Sequence, residues 1–221
     1  MKVLLFGATG MVGQGVLREC LLDNRVERVT TIGRKKTGRT HPKLSEIEHG
    51  DLLDYSSLET QLSGFDACFF CLGVSSVGIN EARYRRITYD ITLAAANVLA
   101  RLNSHLVFTY VSGTGTDSTE KGRSMWAKVK GETENALLRL PFQAVYLFRP
   151  GLIQPLHGIK SKTKFYQAVY VLMSPLFLIL NTLFPNQITT TERVGRAMIN
   201  AVSRGAPKSI LENRDINLLA N

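Results

Sequence analysis

Gly7-Ala8-Thr9-Gly10-Met11-Val12-Gly13 sets three glycines at the spacing G-x-x-G-x-x-G, directly after the apolar run Val3 to Phe6 and at the start of a helix-period segment. Residues of these types in this order could hold a pyrophosphate. Gly7 permits a tight turn, Gly10 lets the backbone approach the phosphates, and Gly13 allows the helix to pack closely on the strand. The amides of the turn and of the helix start, with Thr9, Met11 and Val12 among them, then meet the anion at the positive end of the helix. After the second strand, folds that prefer NAD usually supply a carboxylate for the adenosine ribose; this chain has Gly33-Arg34-Lys35. A guanidinium can hold a 2′-phosphate through paired charge-assisted bonds, so the cofactor expected is NADP(H) rather than NAD(H), with Arg34 first and Lys35 second.

Two further places belong to the same nucleotide reading. Asp51 and Leu52, in Gly50-Asp51-Leu52, follow a short third strand, where Asp51 either meets the adenine edge or caps a turn. Leu72 and Gly73 end the fourth strand, where a small residue lets the backbone pass near the adenosine side. Cys68 and Cys71 form a C-x-x-C, but within Ala67 to Leu72, which reads as a buried strand. Strand side chains alternate faces, so the two thiols point to opposite sides, and no metal site is expected.

The elements that must position these residues alternate. Apolar runs at Val3 to Phe6, Val29 to Ile32, Ala67 to Leu72, Leu106 to Val111 and Ala144 to Phe148 alternate with helix-period segments at Val12 to Leu22, Ser56 to Leu62, Glu81 to Leu102 and Met125 to Leu140. Ile47 to His49 adds a short strand. Strand and helix in turn give an α/β fold, a Rossmann-type doubly wound parallel sheet whose ligand crevice lies at the carboxyl ends of the strands. A chain of 221 residues suits one domain, with a nucleotide-binding core over 1–150 and a small, mostly helical C-terminal substrate lobe over 151–221. That lobe contains the apolar stretch Val169 to Phe184, interrupted by Pro175 and Asn181, and a final amphipathic helix at Glu192 to Arg204 entered through Thr189-Thr190-Thr191. The stretch is too short and too broken to span a bilayer, so it reads as a buried or pocket-lining helical pair in preference to a membrane contact, which the nearby Lys160, Lys162 and Lys164 leave open as peripheral attachment.

The formal charge of +9 comes from scattered basic residues with no aromatic-basic stripe, which argues against nucleic acid. Three cysteines build no disulfide framework, and the N-terminus runs straight into a strand without a secretory leader. Together these point to the cytoplasm.

On Gly7 to Gly13, Asp51-Leu52, Cys71-Leu72-Gly73, Val111-Ser112-Gly113, Lys130-Gly131-Glu132 and Arg149-Pro150-Gly151, the chain resembles the atypical or extended short-chain dehydrogenase/reductases. The likeness is to bacterial NAD-dependent epimerase/dehydratase-like proteins and, more distantly, to TIP30-type oxidoreductase-like proteins. It implies a tyrosine acid/base, a lysine four residues later on the same helix face, and a serine at the end of the fifth strand. Lys130 matches the lysine, which would hold the nicotinamide ribose, and Ser112 matches the serine, which would bind a substrate oxygen. In place of the tyrosine stands Trp126. An indole has no acid/base equilibrium near neutrality, so the usual relay is broken. A register shift would place Ser124 and Lys128 there instead, at the expense of the Lys-Gly-Glu match.

The resemblance also puts Arg149 beside the nicotinamide, against an anionic substrate or a cofactor phosphate, with a structural salt bridge as the alternative. Thr88 or Tyr89 falls near the family's relay asparagine, while Tyr84, Tyr89, Tyr110 and His157 are the other acids in range. Two functions remain open. One is an NADP(H)-dependent oxidoreductase or epimerase-like enzyme acting on a small carbonyl or alcohol; the other is a non-catalytic NADP(H) sensor working through a protein or membrane partner. The long helices Glu81 to Leu102 and Met125 to Leu140 are where related folds pair into a homodimer.

Overall fold

A computed structural model describes residues 1–159 and 186–221. The strands are β1 (Lys2–Phe6), β2 (Arg28–Gly33), β3 (Leu44–Glu48), β4 (Ala67–Phe70), β5 (Val107–Val111), β6 (Ala144–Arg149), β7 (Leu152–Gln154), β8 (Ile188–Thr190) and β9 (Ile210–Glu212). The helices are α1 (Met11–Leu22), α2 (Glu81–Arg85), α3 (Ile91–Leu102), α4 (Met125–Leu138), α5 (Thr191–Arg204) and α6 (Asn213–Leu219). Seven strands form one parallel sheet in the order β3-β2-β1-β4-β5-β6-β9, while β7 and β8 pair separately.

Strand residues sort by parity onto two apolar layers. Val3, Leu5 and Phe69 face α1 and α5 through Val16, Leu17, Val194 and Met198, whereas Leu4, Phe6, Phe70 and Phe108 face α3 through Ala95, Ala96 and Leu99. A parallel sheet covered on both faces needs such continuous apolar strands. Cys68 lies in the second layer and Cys71 packs against the first, so the two thiols stand on opposite sides, and burial raises the pKa of both. Among the described residues no group of His, Cys, Asp and Glu could hold a metal ion.

Several elements differ from the sequence expectation. Ser56–Gln61 is a 3₁₀ segment rather than an α-helix, a form suited to so short a connection. The helix expected over Glu81 to Leu102 carries a π turn at Arg86–Asp90 between α2 and α3. Residues 186–221 do not stand apart as a helical lobe: α5 lies along α1, and β9 extends the main sheet with Leu147↔Ile210 and Phe148↔Leu211. The segment at 169–184 and the lysines at 160, 162 and 164 lie outside the described residues.

What fixes the carboxyl end of this sheet is a buried ion pair. Arg149, the last residue of β6, is 8% exposed and pairs with Glu134 of α4, which is fully buried. Its Nε donates to Glu134 Oε1 at 3.1 Å, its Nη1 reaches Glu212 of β9 at 3.3 Å, and its Nη2 donates to Ser118 Oγ at 2.5 Å. Arg149→Met would leave the Glu134 carboxylate buried without its cation, which costs about 3–5 kcal/mol. A matching fall in the urea unfolding midpoint is expected. A loss under about 1 kcal/mol, the value of an exposed pair, would show that the pair does not join these elements.

Candidate functional site

The glycine turn sits where β1 enters α1. Gly7 has φ +78°, and a Cβ on it would come within 2.6 Å of the Leu72 amide nitrogen and the Cys71 carbonyl, so the turn is pressed against the end of β4. A Cβ on Gly13 would overlap the Gly7 carbonyl oxygen, which explains the third glycine by packing of helix on turn. Gly10 is different. Its amide donates to Gly7 O at 2.9 Å, and a Cβ there would meet only that oxygen, at 3.3 Å. No side chain caps the start of α1 at Gly10, so the amides at Met11, Val12 and Gly13 are left for an anion. Thr9 gives its carbonyl to Gln14 Nε2. Gly73, exposed after β4, has nothing within 4 Å of a built Cβ, which leaves the backbone there open to a ligand. Leu72 is half-buried beside it and packs on the second apolar layer.

At the end of β2, Arg34 and Lys35 are exposed and form no ion pair among the described residues. Their turn is held by Glu46 of β3, whose Oε2 accepts from the Thr37 amide at 2.7 Å and from Thr31 Oγ at 3.2 Å. Asp51 caps a turn, accepting from the Leu53 amide at 2.9 Å, while Leu52 is buried in the second apolar layer. Asp51 thus forms the turn cap.

At the end of β5 the structure brings together Ser112, Lys130, Glu134 and Arg149. Ser112 Oγ lies 2.5 Å from Glu134 Oε1 and 3.2 Å from the Phe148 carbonyl, both acceptors. Its single proton therefore points inward, and only its lone pairs remain for a ligand. The Lys130 ammonium lies 3.4 Å from the Val111 carbonyl and 5.5 Å above the Tyr110 ring. Burial lowers its pKa to about 8, with Glu134 one turn away opposing that shift. Arg149 takes the salt-bridge alternative, since Glu134, Glu212 and Ser118 engage its guanidinium; that corrects its expected place on an anionic substrate or cofactor phosphate.

Trp126, one turn before Lys130, lays its indole against Gly115, 3.5 Å from a Cβ built there. The other acids are occupied or sealed. Tyr84 and Tyr110 are each 1% exposed, bonded to Thr88 and Thr133, and raised in pKa by burial. Tyr89 lies under the Arg85 guanidinium at 4.3 Å, and His157 bonds Glu192 at 2.7 Å. Thr88 and Tyr89 fall within the π turn, and Thr190 caps α5 as its sequence suggests, accepting from the Arg193 amide. Glu134 and Ser118 were not legible as site residues. The available signal was a second acid one helical turn after Lys130, on the face that meets β6.

An open cleft of about 430 Å³ lies at the other end of the sheet, among Met1, Asp66, His105 and Gln143. Those residues precede or begin the strands, so the cleft is remote from the glycine turn and from Lys130.

The chain resembles known proteins in sequence and in fold. The chain is similar to protein HTATIP2 of Rattus norvegicus, 29% identical over 155 residues that make up 69% of this chain and 62% of that protein, so it spans less than two thirds of that relative. It is similar to protein FMP52-2, mitochondrial, of Scheffersomyces stipitis, 24% identical over 214 residues, 94% of this chain and 90% of that one. In fold it is similar to the Bordetella bronchiseptica enzyme WbmF in complex with NAD+, with a TM-score of 0.68 at 15% identity, covering 100% of this chain and 77% of that chain. Several fungal relatives are named mitochondrial, which overturns the expectation of a cytoplasmic protein. Free cysteines fit any reducing compartment, so composition could not separate the two. Residues 3–123, more than half of the sequence and including the glycine turn, β4 and β5, match the model of the NAD dependent epimerase/dehydratase family, and the chain belongs to that family.

Proposed function

We propose that this protein is an NADP(H)-dependent oxidoreductase or epimerase-like enzyme acting on a small carbonyl or alcohol, with a proton relay that lacks the usual phenol. The observation that carries the reading is the pairing of an uncapped glycine turn at α1 with Lys130 at the carboxyl end of β5, on one crevice of a parallel sheet. A nicotinamide dinucleotide fits the residues present. The open positions at Gly10 and Gly73 leave room for its backbone-bound portion, and the α1 amides match its pyrophosphate. When bound, the cofactor supplies or accepts the hydride.

The chain's own residues divide the remaining work. Arg34 and Lys35 bind the 2′-phosphate, and Lys130 holds the nicotinamide ribose. Ser112, with its proton turned to Glu134, receives a hydrogen bond from a substrate hydroxyl. Solved structures of similar fold include a UDP-N-acetylglucosamine 4-epimerase from Methanobrevibacter ruminantium, which supports the choice of carbonyl and alcohol chemistry. A second reading, a nucleotide-binding protein without turnover, is favoured by one observation: the tryptophan at the phenol's position.

Trp126 is the only tryptophan, so its emission reports binding. Arg34→Ala is expected to weaken NADPH at least about tenfold, as loss of one charge-assisted contact does, with little change for NADH. Equal losses for the two nucleotides would reject the phosphate assignment. Gly10 has φ −79° and ψ 166°, an extended geometry open to any side chain, and a Cβ there meets only Gly7 O, at 3.3 Å, so Gly10→Val is expected to fold with a modestly lowered melting temperature while abolishing the NADPH-dependent quenching. Retained quenching in a folded Gly10→Val protein would mean that the anion site lies elsewhere.

A further inference from the structure

We infer that Lys130 is itself the proton donor of the reaction, taking the place of the absent phenol as well as holding the ribose. The inference rests on the oxidoreductase reading above and concerns how that same site moves a proton.

Four features of the geometry lead to it. First, the residue one turn before Lys130 is Trp126, whose indole is turned to Gly115 and has no proton to exchange. Second, among the described residues the phenols nearest Lys130, Tyr84 and Tyr110, are buried and bonded to Thr88 and Thr133. Third, the carboxylate nearest Lys130 is spoken for. Glu134 receives the guanidinium of Arg149 and the hydroxyl of Ser112, so it does not pair with the ammonium. Fourth, among the described residues Lys130 spends at most one of its three N–H groups, on the long 3.4 Å contact to Val111 O. The remaining donors have no acceptor among the described residues and lie beside the end of β5.

The charged and titratable groups around Lys130 are Glu134 on its own helix, Tyr110 from β5, Tyr84 from α2 and Arg149 from β6. Glu134 opposes the effect of burial through its charge but makes no ion pair with the ammonium. Burial therefore dominates, and Lys130 changes protonation near pH 8, where a general acid works best in a near-neutral solution. In the reductive direction one N–H bond of the ammonium breaks and its electron pair stays on Nζ. The proton forms an O–H bond on the substrate's carbonyl oxygen, whose carbon is reduced by the nicotinamide dinucleotide. The neutral amine then recovers a proton from water.

Arginine separates the two roles of this side chain. It stays charged at all working pH values, so it can hold a ribose but is a poor proton donor. The first measurement needs no cofactor: the side-chain nitrogens of ¹⁵N-lysine-labelled protein are followed from about pH 6 to about pH 11, with Lys130→Arg identifying the Lys130 signal. A midpoint near 8 is expected for Lys130. A Lys130 midpoint among the exposed lysines would overturn the inference.

The second measurement compares NADPH affinity, by Trp126 emission, with NADPH oxidation by 9,10-phenanthrenequinone and by 4-nitrobenzaldehyde. Lys130→Arg is expected to bind NADPH close to wild-type strength while kcat falls about a hundredfold or more. Lys130→Met should lose both. A Lys130→Arg enzyme with wild-type kcat refutes proton donation by Lys130, and so does a wild type that binds NADPH and reduces neither probe. Absence of NADPH binding in the wild type would instead reject the oxidoreductase reading, so the two failures are distinguishable.

Discussion

The contact between Arg149 and Glu134 is the constraint on which the crevice depends. One buried guanidinium ties the end of β6 to α4, to the last strand of the sheet through Glu212, and to the loop after β5 through Ser118. Two ions taken out of water cost several kcal/mol each, and their attraction repays this only when further hydrogen bonds complete the set. Ser112 supplies one of those bonds. Its hydroxyl orientation is therefore a consequence of the ion pair, and the hydrogen-bonding polarity that the crevice presents is fixed by a buried charge.

The same pair decides what Lys130 can be. Glu134 lies one helical turn beyond Lys130 and would be its natural i, i+4 partner. Because Arg149 and Ser112 occupy both carboxylate oxygens, the ammonium keeps only a long contact to a carbonyl and an aromatic ring below it. A lysine buried without a counter-ion yields its proton more readily than one paired with a carboxylate. Packing at the end of β6 thus sets the chemistry of a side chain on α4.

How much of this was legible in the sequence follows from the range of each interaction. The glycine turn was legible because its constraints are local: Gly7 and Gly13 answer to backbone within a few residues of themselves or to the adjacent strand. The central strands were legible because both their faces are buried, which leaves unbroken apolar runs such as Val3 to Phe6. By contrast, β9 has three residues, of which only Leu211 is buried, and pairing with β6 rather than any periodicity makes it a strand. The π turn at Arg86–Asp90 has no marker in residue type. Arg149 read equally well as a ligand contact or a salt bridge, because its partners stand 15 residues before it and 63 after it.

Trp126 shows why a break in a motif need not break the scaffold. The helix, its lysine and the serine of β5 stand in the order the resemblance implies, and an indole rather than a phenol lies over Gly115. A phenol at this position would depend on the nearby ammonium to lower its pKa, so the proton and the positive charge would belong to a coupled pair. With an indole there, the coupling disappears and the charge and the proton reside on one nitrogen. On the proposed reading, such a site holds cofactor most firmly when Lys130 is protonated, which is also the state able to deliver a proton to a carbonyl. Binding and proton supply then rise and fall together with pH through about 8, and both weaken on the alkaline side, where the ammonium is lost. Reduction of a carbonyl, which needs the charged form at the outset, is therefore the direction that this arrangement of residues serves below that pH.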